Sequence, residues 1–327
     1  MEFINPLVMF MILDIFELWK NALKESLSYQ IFCVFDKLDC KPDCMAEAPS
    51  TPVLINVGKR GASWKAPLTN ITLLFNHRFL VRNLVRKEIR GRYRNAMLGY
   101  TWTVLEPAML ASVYYFLFIM LAGNADKMYP VWVILGVVVW SCFGKALQGT
   151  VSSLSRNGQT IHLVYFPRII FPMTAMQGNI IISMMSCFVV IPIMIVYDLP
   201  VTIYLLYVPL SIFMAGFLAI GLGMLVAPLN CVQRDIEHLF RFIVRAGFFL
   251  SPVMWTYEMA LERGAFGEMV LYNPMVVPLT MARHGVAGES LGIPLIGLIG
   301  SLSFGVIMWI LGSYVFNKYE AGAVKHL

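Results

Sequence analysis

Trp102 to Ala122 is an apolar run interrupted by one charged side chain, Glu106. At 1.5 Å per residue, a helix over this run covers a hydrocarbon core of ~30 Å. It is preceded by a stretch of opposite character, ITLLFNHRFLVRNLVRKEIRGRYR from Ile71 to Arg94, and the two pieces meet at Gly99. Arg78, Arg82, Arg86 and Arg90 recur every four residues and, with Lys87, sweep one half of a helix. Leu80, Val81, Leu84 and Val85 fall on the other half, while Phe79 and Ile89 break the pattern. Such a helix settles at a membrane–water boundary, its apolar half buried and its guanidinium groups near lipid phosphates. A solvated or DNA-facing helix is the alternative, and the adjoining span weighs against it.

Composition agrees with a membrane setting. Apolar residues make up 58% of the chain and charged residues 13%, against ~25% charged in a soluble domain. The net charge of +6 sits in a few short segments, which reads as orientation and lipid contact, with no nucleic-acid partner. Cys142, Cys187 and Cys231 lie in or beside apolar runs and read as small packing residues, with no disulfide framework.

The rest of the chain predicts an all-α membrane protein with six transmembrane helices, preceded by an amphipathic interfacial helix over 71–94. The expected spans are 102–122, 129–148, 169–197, 201–229, 239–253 and 292–316. Lys145 stands near the far end of the second span, where it can snorkel. Ala215, Ala219 and Gly223, and again Gly297, Ser301 and Gly305, form small-residue rows that admit close helix approach, within or between subunits. Between the fifth and sixth spans, glycines and prolines break any long helix. Six spans put both termini on one side. The Arg cluster, Arg156, Arg168, Arg234, Arg241, Lys318 and Lys325 fall there, against Lys127, Arg263 and Arg283 opposite. This bias predicts cytoplasmic termini and a cytoplasmic (inner) membrane location.

Residues 1–69 form an extension and linker without an assigned role. Asp14 and Glu17 cut its apolar start too short to span, and it makes a poor signal peptide. Cys40 and Cys44 lack the further ligands a zinc site needs, so no metal is assigned.

RGRYRNAM followed by LGYTWTVLEP, Leu98 to Pro107, resembles the entry to the first span of type-2 ABC export permeases. The similarity is greatest to the branch that exports O-antigen, capsular polysaccharide and teichoic acid, and it covers about residues 70–327. It implies a permease worked by two copies of an ABC ATPase subunit that bind ATP and Mg²⁺, and a second copy of this chain. It also implies a lipid-linked polysaccharide substrate. The family places a coupling helix in the loop carrying Arg156, His162 and Arg168; an ordinary basic loop is the other reading. The broken stretch from Ser251 to Ser290, with YNPM, resembles the family's short re-entrant helices.

The residues carry no catalytic site. No G-x-x-x-x-G-K-[ST] or H-E-x-x-H occurs, and no D-x-D. The spans lack the buried acids and histidines of a proton relay, so the energy is expected from outside the chain and no cofactor is expected within it. Glu106 lies one turn inside the first span and is expected to pair with Arg92 or Arg94. Arg82, Arg86, Arg90, Arg92 and Arg94 can meet the phosphate of a lipid-linked substrate or of ordinary phospholipid. Tyr114, Tyr115, Phe118, Phe242, Phe248, Phe249, Trp255 and Tyr257 are candidates to line a path for sugar, with aromatic belt and helix packing as the alternative. A small-molecule permease and a membrane sugar transferase are the rival functions. The basic helix and LGYTWTVLEP speak against the first, the missing acidic motif and short loops against the second.

Overall fold

The computed structural model describes residues 66–94, 96–122, 128–163, 166–262, 264, 269–270 and 272–323. The extension with Cys40 and Cys44, the turn with Lys127, Arg263, Lys325 and the side chains of Phe118 and His162 lie outside what it describes. The described residues form helices and connecting turns, with no strand.

Two helices precede the first apolar run: α1, Ala66–Asn76, and α2, Arg78–Tyr93. The sequence predicts one helix here, and the break falls at His77, whose backbone leaves the helical region. The cause is tertiary, because α1 and α2 pack on different partners. α1 lies on the last helix, where Asn317 Nδ2 donates to the buried Asn70 Oδ1 at 3.5 Å. α2 lies on the helix that starts at Ile170, with Val81 and Val85 buried against that residue. The apolar half of the basic helix is therefore covered by protein. Arg82, Arg86 and Arg90 stay exposed.

After a single 3₁₀ turn come α3, Trp102–Ala122, and α4, Tyr129–Val151. Two short helices follow, α5, Ser153–Arg156, and α6, Gly158–Leu163. α7, Ile170–Ser186, continues through a 3₁₀ turn into α8, Val190–Val196. Then come α9, Tyr207–Val232, and α10, Asp235–Leu250. α11, Tyr257–Leu261, and α12, Val276–Ala287, are short, and α13, Leu295–Ala323, is the longest. Four of the described helical segments are long and apolar enough to cross a membrane: α4, α7 with α8, α9 with its preceding turn, and α13. The chain is a multi-pass membrane protein.

α9 is the hub, packed on α4, α7, α12 and α13. Its small residues explain how. A Cβ on Gly221 would lie 2.8 Å from the Met308 backbone, and one on Gly312 would lie 2.4 Å from Gly221 O. Here α9 and α13 cross with backbones in contact. Gly223 instead admits Thr150 of α4, and Gly305 admits Phe217 and Leu218. Both small-residue rows thus serve packing within this chain, and the closest crossing uses Gly221 and Gly312, outside either row. α10 has 16 residues, about 24 Å, short of the hydrocarbon core. It begins at Asp235 and ends at Leu250, earlier than the span expected over 239–253.

Candidate functional site

One end of the bundle collects the basic segments. α2 runs along the start of α7, and its last turn reaches Asn179, where Arg92 donates to Asn179 Oδ1 at 2.8 Å. Asn179 Nδ2 donates in turn to Ala175 O at 2.7 Å. Glu88 lies 3.6 Å from Arg92 and 3.7 Å from Arg156 on α5. One carboxylate thus ties the basic helix to the loop after α4. Asn230, near the end of α9, donates to Val151 O and Ser155 Oγ, both at 3.3 Å. Val151 closes α4, so its carbonyl lacks a helical partner and Asn230 supplies one. Basic helix, loop and α9 are therefore linked through α5. Arg168 is partly exposed in the same region, and the backbone of His162 is in α6.

Glu106 pairs elsewhere than the sequence predicts. Both of its carboxylate oxygens lie 2.9 Å from Lys145 Nζ, while Arg92 is held by Asn179 and Glu88. The physical reason is reach: α3 packs against α4, and Arg92 is drawn to α7. Lys145 correspondingly does not snorkel but turns to an acid. Beside this pair, Pro107 cannot donate to the carbonyl of Thr103. Ser186 of α7 fills that place, its Oγ donating to Thr103 O at 2.7 Å. Proline, serine and ion pair together lock α3 against α4 and α7.

The opposite end is built differently. Arg283 of α12 is buried, 4% exposed. Its guanidinium donates to Val253 O at 2.8 Å, Trp255 O at 3.0 Å and Trp132 O at 3.3 Å. The turn at 251–256 has carbonyls without helical partners, and Arg283 satisfies two of them. Tyr129 Oη donates to Met254 O at 2.6 Å. Gly136 of α4 permits this approach, since a Cβ there would lie 2.6 Å from Val253 O. The sequence puts Arg283 among the charges of an outer loop; the structure makes it an internal clamp. Beside it His284 lies 3.4 Å from Glu258, and its Nδ1 donates to Ser290 O at 2.9 Å. That contact with His284 holds the Glu258 carboxyl down at about 2 and raises the His284 imidazole.

The aromatic candidates divide. Tyr114 stacks on Phe248 with centroids 5.0 Å apart, joining α3 to α10, and Tyr115 meets Tyr129 at 6.3 Å. Phe248 and Tyr257 are buried in the chain's own core. Trp255 is partly buried and points its indole N–H toward Phe249 O at 3.5 Å. Phe242 and Phe249 stand exposed on α10, with Leu239 and Leu250 beside them. Sequence reasoning missed Glu88, Lys145 and Asn179 as partners. The signal for Lys145 was available: it is the one lysine of its span, as Glu106 is the one acid of its own.

A bundle of membrane-crossing helices with a basic, ion-paired end defines a multi-pass membrane protein. The chain belongs to the ABC-2 type transporter family, whose model matches residues 80–287. It is 25% identical over 252 residues to an O-antigen export system permease protein RfbA of Klebsiella pneumoniae, covering 77% of this chain and 95% of that protein. A second Klebsiella pneumoniae protein of that name is 24% identical over the same coverage. One from Myxococcus xanthus is 25% identical over 207 residues, 63% of this chain and 80% of that protein.

Proposed function

We propose that this chain is the membrane-spanning permease subunit of an ATP-driven exporter of a lipid-linked polysaccharide, of the O-antigen, capsule or teichoic-acid type. The observation that carries this reading is the match to relatives named as O-antigen export permeases, which extends over 95% of the length of one of them. The geometry of the basic end supports it. Arg82, Arg86, Arg90, Arg92 and Arg94 form an exposed cationic surface that suits phosphate at a leaflet boundary.

ATP and Mg²⁺ belong to a separate ATPase, present in two copies against two copies of this chain. That ATPase docks on α5 and α6, where Arg156, His162 and Arg168 reside. Motion there reaches α2 through Glu88 and α9 through Asn230, which is the mechanical route that coupling needs. The basic end and both termini face the cytoplasm. α3 and α10 complete six crossings once a second copy covers their open faces, and Phe242 and Phe249 then border a shared path.

Deletion of the gene, followed by analysis of lipid-linked glycan, tests the reading. A cytoplasmic build-up with loss of surface polymer is expected. Unchanged surface polymer without build-up would overturn it, and an altered drug sensitivity alone would favour a small-molecule permease.

A further inference from the structure

The Glu106–Lys145 pair is half-exposed, with 46% and 38% of the two side chains open. Glu106 lies sixteen residues before the end of α3 at Ala122, and Lys145 lies sixteen after the start of α4 at Tyr129. Both are therefore about 24 Å from the same end of the bundle. In a core of ~30 Å that is about one turn inside the basic side. Open charges at that depth do not face hydrocarbon; they face protein or water. The pair lines a crevice between α3, α4 and α7, together with Ser141, Ser183 and Ser186. It has room for a group of about one water's size. Asn179, which holds Arg92, is one turn before Ser183 on α7, so the crevice lies one helical turn inward of that contact.

The donor set decides what fits. A phosphate would meet the Glu106 carboxylate as well as the Lys145 ammonium, and repulsion from the one offsets attraction to the other. An uncharged hydroxyl meets no such conflict. It can donate to a carboxylate oxygen and accept from the ammonium or a serine, and its size matches the crevice. We propose that the crevice at Glu106, Lys145 and Ser141 is a hydroxyl-reading subsite, which takes one hydroxyl of a neutral sugar just inside the phosphate-binding surface. This rests on the polysaccharide-export reading. It divides the labour: arginines of α2 hold the charged head, and the crevice recognises the sugar attached to it.

The test uses the full chain in nanodiscs and two probes, a polyprenyl diphosphate carrying one neutral hexose and the same polyprenyl diphosphate carrying none. The variant is Glu106→Leu with Lys145→Met, which removes donor and acceptor together and leaves no orphan charge. Ser141→Ala is a milder second variant. Wild type is expected to bind the hexose-bearing probe more tightly than the bare one. The double variant should lose about 3- to 10-fold of that preference, read as the ratio of the two probes' affinities, which cancels any general loosening of α3. Ser141→Ala should lose a smaller part of it.

Equal weakening for both probes would show that the crevice serves phosphate or packing, and would overturn the proposal. So would a preference that survives in both variants. Absence of any preference in wild type would also overturn it. In that case surface polymer that still depends on the gene would leave the export reading standing, whereas polymer that does not would remove both.

Discussion

The two ends of the bundle handle positive charge in opposite ways. At the basic end, Arg92 and Arg156 share Glu88 at 3.6 and 3.7 Å, with solvent close by. Such pairs are weak individually and easily exchanged. At the other end, Arg283 is sealed from solvent and satisfied by backbone carbonyls alone. Removing one partner of a buried, hydrogen-bonded charge is expensive, so this end resists rearrangement. A transporter needs one region that yields and one that holds, and the charge chemistry assigns those parts.

Arg283→Met puts this contrast to its hardest test. Val253 O and Trp255 O would lose their donor, at about 1–3 kcal/mol for each orphaned group. Relief of the buried charge offsets part of this, so a loss of about 3 kcal/mol is expected. Thermal unfolding in detergent, followed by tryptophan fluorescence, would read it. An unchanged midpoint would mean that the clamp holds nothing.

The same substitution should change sign between the two ends. Gly136→Ala places a Cβ 2.6 Å from Val253 O and 3.0 Å from Arg283 Nη2. Backbone cannot step aside cheaply, and about 1–3 kcal/mol of destabilisation is expected. A Cβ on Gly91, in the last turns of α2, would meet nothing within 4 Å. Gly91→Ala should therefore stabilise, by about 0.5–1 kcal/mol, because alanine surrenders less entropy in a helix. If both variants moved the unfolding midpoint in one direction, the supposed difference in packing would be wrong.

Arg156→Ala sharpens the comparison at the yielding end. The pair with Glu88 is partly solvated, and its loss should cost less than about 1 kcal/mol. If Glu88 carries motion from α5 to α2, export should nonetheless fall several-fold with folding intact. Surface polymer measured beside the unfolding midpoint separates the two effects, and a parallel loss of both would reduce the contact to plain stability.

Much of this was legible in the sequence, for identifiable reasons. The apolar runs and the four-residue arginine spacing gave the helices and their amphipathic face, because burial and period leave direct marks on composition. The break at His77 was hidden: residues 71–94 read as one continuous helix, and only the separate docking of α1 and α2 divides them. The Glu106–Lys145 pair was half visible, as two lone charges in two apolar runs, but the identity of the partner depended on which helices touch. Arg283 looked like an ordinary loop charge, since its neighbourhood is broken by Pro274 and Pro278. Its burial depends on the folding back of 251–256, which no local pattern records. The resemblance carried by LGYTWTVLEP pointed to the family to which the chain belongs.

The smallest expected effect lies beside the clamp, at His284 and Glu258. Their contact raises the His284 imidazole above its ordinary value of 6.5, chiefly through the hydrogen bond to Glu258, with Ser290 O and Glu289 contributing. A raised histidine contributes stability that is complete below 6.5 and is lost as pH rises through the higher folded value. Glu258 shifts the other way, from 4.5 to about 2, so its share is present above 4.5 and lost as pH falls toward about 2. The link between α11 and the end of α12 is thus strongest between those two ordinary values. Because Glu258 is 56% exposed, solvent screening limits the gain to below about 1 kcal/mol. In unfolding midpoints taken from pH 6 to 9, wild type should decline by about a degree or two more than His284→Gln. Superimposable pH profiles would show that the contact is incidental, and that the rigid end is held by the buried arginine without help from its neighbour.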